Sequence, residues 1–148
     1  PFVEVHAADI DPVAVACARE NVPNGNVHEG DLYDALPADL EGRLDVLVAN
    51  TPYVPTDEVA LMPSEARDHE PRHTLDGGPD GLDAYRALIP AAAAILPRDR
   101  PAALILEIGA WQGADVTALA RASFPAATIS LCQDLAGRDR VVERRRRQ

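Results

Sequence analysis

The stretch Leu44-Asp45-Val46-Leu47-Val48-Ala49-Asn50-Thr51-Pro52-Tyr53 decides how the chain is read. After Asp45 it is apolar up to Ala49, and a short unbroken apolar run suits a strand covered on both faces, as in a parallel sheet. The run ends on an amide side chain and a proline. Proline has no amide hydrogen and biases the preceding residue toward extended backbone, so Pro52 helps to aim the Thr51 carbonyl outward from the strand end.

Working outward, strands alternate with helices. Upstream, Val3, Val5 and Ala7 alternate with Glu4 and His6 and predict a strand ending at Ala8-Asp9. Asp11 as N-cap and Pro12 in the first turn predict a helix over Val13 to Asn21. Pro23 to Asn26 reads as a turn and Val27 to Glu29 as a short strand leading to Gly30-Asp31. Downstream, residues 54 to 81 are rich in Pro, Gly, Asp and Glu without a sustained period and read as a long irregular insert. Leu82, Tyr85, Leu88, Ile89, Ala92, Ile95 and Leu96 recur at helical spacing, with Pro90 expected to kink or divide that helix. Ala102 to Ile108 predicts a buried strand, Gly109 to Gly113 a turn into a helix reaching about Phe124, and Thr128 to Cys132 a further strand, with Val141-Val142 as a last one. Such alternation implies an α/β fold with a doubly wound parallel sheet, whose ligands bind at the carboxyl ends of the strands. Asp9, Asp31, Asn50 and Glu107 are expected on that rim.

Composition excludes several classes. With 148 residues and 47% hydrophobic content, one domain with its own core is expected. The longest apolar candidate, Ala91 to Leu96, lies between Pro90 and Pro97 and falls short of the roughly 18 residues that cross a bilayer, so a soluble protein is expected. The two cysteines, Cys17 and Cys132, form no Cys-x-x-Cys pair, which fits a reducing cytoplasm and indicates neither a disulfide framework nor a zinc site. The formal net charge is -10, and residues 1 to 137 hold 22 acids against eight arginines. An acidic body disfavours nucleic acid. Arg144 to Arg147 read as a solvated terminal tail. The histidines at 6, 28, 69 and 73 lack metal-ligand spacing, Pro71 spoils a helical His69/His73 pair, and no metal is predicted.

Four rim positions can carry chemistry. Asp9, after a strand and before a helix, either accepts hydrogen bonds from ribose hydroxyls or belongs to the helix cap. Asp31 either receives an adenine amino group or is an ordinary turn aspartate. Glu107 is either a tuned rim residue or a partner of the following turn. Asn50-Thr51-Pro52-Tyr53 combines an amide acceptor, a restrained backbone carbonyl and an aromatic face. That set suits a planar amide or aromatic amine, whose nitrogen must be oriented by acceptors and held by stacking, although the tetrapeptide alone also reads as a turn.

Asn50-Thr51-Pro52-Tyr53 resembles the Asn-Pro-Pro-Tyr motif of the HemK/PrmC family of protein N5-glutamine methyltransferases, with Thr51 in place of the first proline. Glu70-Pro71, Leu75-Asp76-Gly77-Gly78, Asp80-Gly81-Leu82 and Tyr85-Arg86 are similar to the family's segment downstream of it. Glu107-Ile108-Gly109 with Gln112-Gly113, and Asp134, Gly137, Asp139 and Arg140-Val141-Val142, extend the resemblance from Val5 to Val142. It implies a class I S-adenosylmethionine-dependent methyltransferase fold, Rossmann-like, with a mostly parallel sheet and helices on both faces. It implies S-adenosyl-L-methionine as cofactor, held by Asp9, Ile10, Asp31, Leu32 and Asn50. It implies a substrate site of Asn50, Thr51, Pro52 and Tyr53, with Asn50 and Tyr53 in the catalytic role. The activity implied is methylation of the Gly-Gly-Gln glutamine of a peptide chain release factor, by a cytoplasmic enzyme that is monomeric when complete. Methylation of another nitrogen, in adenine or a small molecule, and a non-catalytic remnant of the fold are the alternatives.

The glycine-rich turn that such folds carry about 20 residues before the ribose-binding acid has no counterpart here, since only eight residues precede Asp9. The chain is therefore expected to lack the first strand and helix of its domain, together with the family's N-terminal helical domain. Residues 1 to 143 are read as this partial catalytic domain and 144 to 148 as a disordered arginine-rich tail. A missing central strand would leave the strands ending at Asp9 and Asn50 each without a neighbour, so the fragment alone is expected to fold poorly or bind cofactor weakly.

Overall fold

Two parallel strands, β1 (His6–Asp9) and β2 (Asn26–Glu29), pair from His6 against Asn26 to Asp9 against Glu29, joined by helix α1 (Pro12–Asn21). The computed structural model describes residues 3–146, and its contacts divide the chain after Glu41 into two units. In the first unit Asp11 caps α1 by accepting the Val13 amide at 2.7 Å, with Pro12 in the first turn as the sequence predicts. Val15 is the fully buried residue of that helix. The strand starts at His6 rather than Val3. His6 on β1 and His28 on β2, two positions apart in register, stack with ring centroids 5.3 Å apart.

The second unit holds a four-stranded sheet in the order β3 (Val46–Ala49), β4 (Ala102–Glu107), β6 (Asp139–Arg146) and β5 (Thr128–Gln133). β3 and β4 are parallel, whereas β6 runs antiparallel to both β4 and β5, so this sheet is mixed. The reversal follows from connection length: β5 and β6 are joined by a tight turn over Asp134–Arg138, and a turn that short can join only antiparallel strands. On β3, Leu47 is buried while Val46 and Val48 are 56% and 69% exposed, so one face of the strand is covered rather than the two expected.

Helix α4 (Asp83–Ile95) runs unbroken through Pro90, so of the kink or division expected there the division does not occur. Pro90 and Arg86, whose carbonyl it cannot bond, are both exposed, so the lost hydrogen bond falls on the solvated side. The opposite face buries Tyr85, Leu88, Ile89 and Ala92. With Val116 and Ala120 of α5 (Gly113–Ser123), Leu104 and Leu106 of β4 and Val142 of β6, they make the core.

Residues 54 to 81 are not irregular throughout. A 3-10 turn (Thr56–Leu61) and the short helices α2 (Ser64–His69) and α3 (Arg72–Leu75) surround a satellite core of Val54, Val59 and Leu75, with Tyr53, Met62 and Ala66 against it. Pro71 separates α2 from α3, as anticipated from the His69/His73 spacing.

The expected disordered tail is corrected in its larger part, because Arg144 to Arg146 continue β6. Arg144 is 5% exposed, with its guanidinium 4.7 Å from the Phe124 ring centroid and Nη1 donating to the Ala102 carbonyl at 3.1 Å. An arginine stem is apolar enough to be buried where the head finds an aromatic face and a carbonyl. Arg147 and Gln148 lie outside the described residues. Among the described residues no helix is long and apolar enough to cross a membrane.

Candidate functional site

The first unit carries Asp9, Ile10, Asp31 and Leu32. Asp9 ends β1 and Asp31 lies just past the end of β2, and the Gly30 amide donates to the Asp9 carbonyl at 3.0 Å. Both carboxylates therefore emerge at the same end of the strand pair, and both are exposed. Of the two readings of Asp9, the helix cap proper falls to Asp11, although the Asp9 carboxylate accepts the Asp11 amide at 2.8 Å. Asp31 precedes a 3-10 turn (Leu32–Ala35) without capping it by its side chain. Ile10 is 57% exposed beside Asp9. Leu32 has φ 43, in the left-handed region that L-residues with a branched side chain rarely occupy.

The second unit carries Asn50 to Tyr53, immediately after β3. Asn50 is exposed, Pro52 and Tyr53 are half-buried, and Thr51 is buried. The Thr51 hydroxyl has no hydrogen-bond partner among the described residues. The segment is fixed at its far end by the Val54 amide donating to the Leu75 carbonyl and the Gly77 amide donating to the Val54 carbonyl, at 3.0 and 2.8 Å. The Tyr53 ring meets Trp111 edge-on, centroids 6.3 Å apart, and Trp111 is itself 58% exposed.

The glycines quoted from the sequence explain why this segment can be packed so closely. A Cβ on Gly77 would stand 2.8 Å from both the Pro52 carbonyl oxygen and the Tyr53 Cα. Gly81, at φ 75, passes closer still to the Tyr53 carbonyl. The aspartates that precede these two glycines shape the loop. Asp76 accepts the Thr56 hydroxyl at 2.6 Å and the Gly78 amide at 3.1 Å, which hold its carboxyl below the ordinary range. Asp80 accepts the Arg86 guanidinium at 2.8 Å and the Leu82 amide at 3.2 Å, and the arginine above all brings its pKa to about 2.

Behind the segment lies the end of β4. Tyr85 donates its hydroxyl to the Glu107 carbonyl at 2.8 Å, and burial raises its pKa well above the ordinary phenol range, so it stays a neutral donor. Glu107 thus takes part through its backbone. Gln112, 1% exposed, bonds three backbone groups: its Oε1 accepts the Gly109 amide at 3.0 Å, and its Nε2 donates to the carbonyls of Tyr53 at 3.2 Å and Gly81 at 2.9 Å. In the sequence Gln112 stands out only within the family resemblance; a polar residue opening an apolar helix directly after a buried strand is the signal that marks it.

No family model matches the chain. It is 44% identical to a release factor glutamine methyltransferase of Moorella thermoacetica, over all of this chain and 52% of the relative. It is 41% identical to the protein of that name from Cereibacter sphaeroides, over 94% of this chain and 50% of the relative. The chain spans about half the length of the curated relatives it matches. Among solved structures, the protein-(glutamine-N5) methyltransferase (release factor-specific) from Alicyclobacillus acidocaldarius superposes with a TM-score of 0.53 at 21% identity, covering 97% of this chain and 79% of that one. A TehB-like SAM-dependent methyltransferase from Corynebacterium glutamicum gives 0.54 at 14% identity, covering 95% and 67%. These likenesses show the fold of class I S-adenosylmethionine-dependent methyltransferases.

Proposed function

Because the chain belongs to the release factor glutamine methyltransferase family, of whose curated members it spans about half the length, we propose that it carries the acceptor-gripping part of a protein glutamine N5-methyltransferase. The observation that carries this reading is the Asn50-Thr51-Pro52-Tyr53 segment, exposed at Asn50 directly after β3 and pinned behind by Gly77, Gly81 and Gln112.

A glutamine amide nitrogen is a poor nucleophile while its lone pair is delocalised into the carbonyl. Two acceptors that claim both N–H bonds fix the nitrogen in one orientation, and an aromatic face against the amide plane restricts its tilt. The Asn50 side-chain oxygen and the Thr51 backbone carbonyl are those acceptors, and the Tyr53 ring is the face. Threonine supplies the same carbonyl as the proline of the related motif, and Pro52 restrains it. Catalysis of this kind comes from position and electrostatic aim.

S-adenosylmethionine, when bound, supplies an electrophilic methyl group on a sulfonium. The exposed carboxylates of Asp9 and Asp31, at adjacent strand ends, suit its ribose hydroxyls and adenine amino group, and the exposed Ile10 and neighbouring Leu32 offer apolar surface to the nucleoside. Under this reading the enzyme works in the cytoplasm as a monomer, with a peptide chain release factor as its protein substrate and its Gly-Gly-Gln glutamine as the acceptor.

The test supplies the full-length protein with methyl-labelled S-adenosylmethionine and offers a release factor, DNA and RNA side by side. Label on the release factor glutamine alone supports the reading. Label on nucleic acid, or on none of the three, removes it.

A further inference from the structure

Gln112 bonds three backbone groups of the second unit, and its three partners come from three different connections. Gly109 follows β4, Tyr53 follows β3, and Gly81 precedes α4. All its bonds go to backbone groups, and it is 1% exposed. A buried amide of this kind has one acceptor and two donors to place, and here every one is used. Gln112 thereby ties the end of the acceptor segment to the turn before α5, independently of any side chain in that segment. Neighbouring features match: Gly81 carries no Cβ where it faces Gln112 Nε2, and the Trp111 ring, one residue earlier, meets Tyr53.

We propose that Gln112 is a positioning residue of the acceptor site, which sets the placement of Tyr53, and through it of Thr51 and Asn50, by holding the Tyr53 carbonyl to the Gly81 carbonyl and the turn after β4. The proposal rests on the reaction assigned above. Gln112 is buried and its amide is spent on backbone groups, so its loss is expected to affect the rate of methylation rather than donor binding.

Two variants separate this role from a purely structural one. Gln112→Met keeps the length and loses all three bonds. Gln112→Glu keeps the acceptor for the Gly109 amide and, as a carboxylate, turns an oxygen in place of the two donors toward the Tyr53 and Gly81 carbonyls, so it leaves the turn supported and pushes those carbonyls away. In the full-length protein, with a release factor as acceptor, both variants are expected to lower kcat about 100-fold, the scale of a misplacement of about 1 Å. The dissociation constant for S-adenosylmethionine, measured by calorimetry, stays within about twofold of wild type. If Gln112→Met does not fold, Gln112→Glu decides. Wild-type kcat in a folded Gln112→Glu protein overturns the proposal, as does a fall in kcat matched by an equal fall in donor affinity. A wild-type enzyme that labels no glutamine removes the assigned reaction and the proposal with it, an outcome distinct from an active wild type with unaffected variants.

Discussion

Tyr85, in the first half of α4, donates its hydroxyl to the carbonyl oxygen of Glu107 at the end of β4, 2.8 Å away. A buried helix residue therefore satisfies a strand-end carbonyl next to the proposed acceptor site, and the helix and the rim are locked together. Removing the hydroxyl leaves that carbonyl without its partner. Tyr85→Phe is expected to cost about 1 to 3 kcal/mol, measured by urea denaturation of the full-length protein at unchanged m-value. A midpoint equal to wild type would show that water replaces the bond.

The loop between the satellite core and α4 depends on pH through Asp80. Arg86 holds its pKa at about 2, below the range of an unfolded aspartate, so the folded state binds this proton less readily than the unfolded state. The sign follows: the contribution is complete above about pH 4 and is lost as pH falls toward about 2. Asp80→Asn should lower the neutral-pH plateau of the stability curve and flatten its acid limb in that window. An identical acid limb in both proteins would place the depressed pKa elsewhere.

Gly81 and Gly42 both have positive φ, 75 and 70, but differ in surroundings. A Cβ at Gly42 meets nothing within 4 Å, whereas one at Gly81 would fall against the Tyr53 carbonyl and 2.9 Å from Gln112 Nε2. Gly42→Ala is expected to cost only the left-handed backbone penalty, about 1 to 2 kcal/mol, and Gly81→Ala clearly more. Equal losses in calorimetric melting would mean that the close approach at Gly81 relaxes freely.

Arg144 and Arg145 are adjacent on β6, yet one is buried over Phe124 and the other is exposed beside Glu143. Arg144→Ala should lower stability by about 2 kcal/mol or more, and Arg145→Ala by no more than about 0.5 kcal/mol. Two neutral variants would return the segment to a solvated tail.

Strands and caps were legible because their causes are local. Leu44 to Ala49 and Ala102 to Ile108 are apolar runs of strand length, and Asp11-Pro12 carries both halves of a helix start. What was not legible depends on distant partners. The arginine run at the end reads as solvated until Phe124 and the Ala102 carbonyl stand opposite Arg144. Pro90 breaks a helix in sequence terms, but on the exposed side of α4 it costs one solvated bond. The helices within residues 54 to 81 are four to six residues long, too short to show a period, and gather around Val54, Val59 and Leu75. The tetrapeptide proposed as the acceptor site was visible in sequence, while Gln112, bonded behind it, lies 59 residues from Tyr53 and needed the fold to bring it there.

The most direct measurement is the rate of methyl transfer from S-adenosylmethionine to a release factor glutamine by the full-length protein, wild type against Asn50→Ala. N5-methylglutamine is expected from the wild type and a kcat lower by about 100-fold or more from the variant, because one of the two acceptors proposed to orient the amide is gone. Methylation by Asn50→Ala at close to the wild-type rate would contradict this reading.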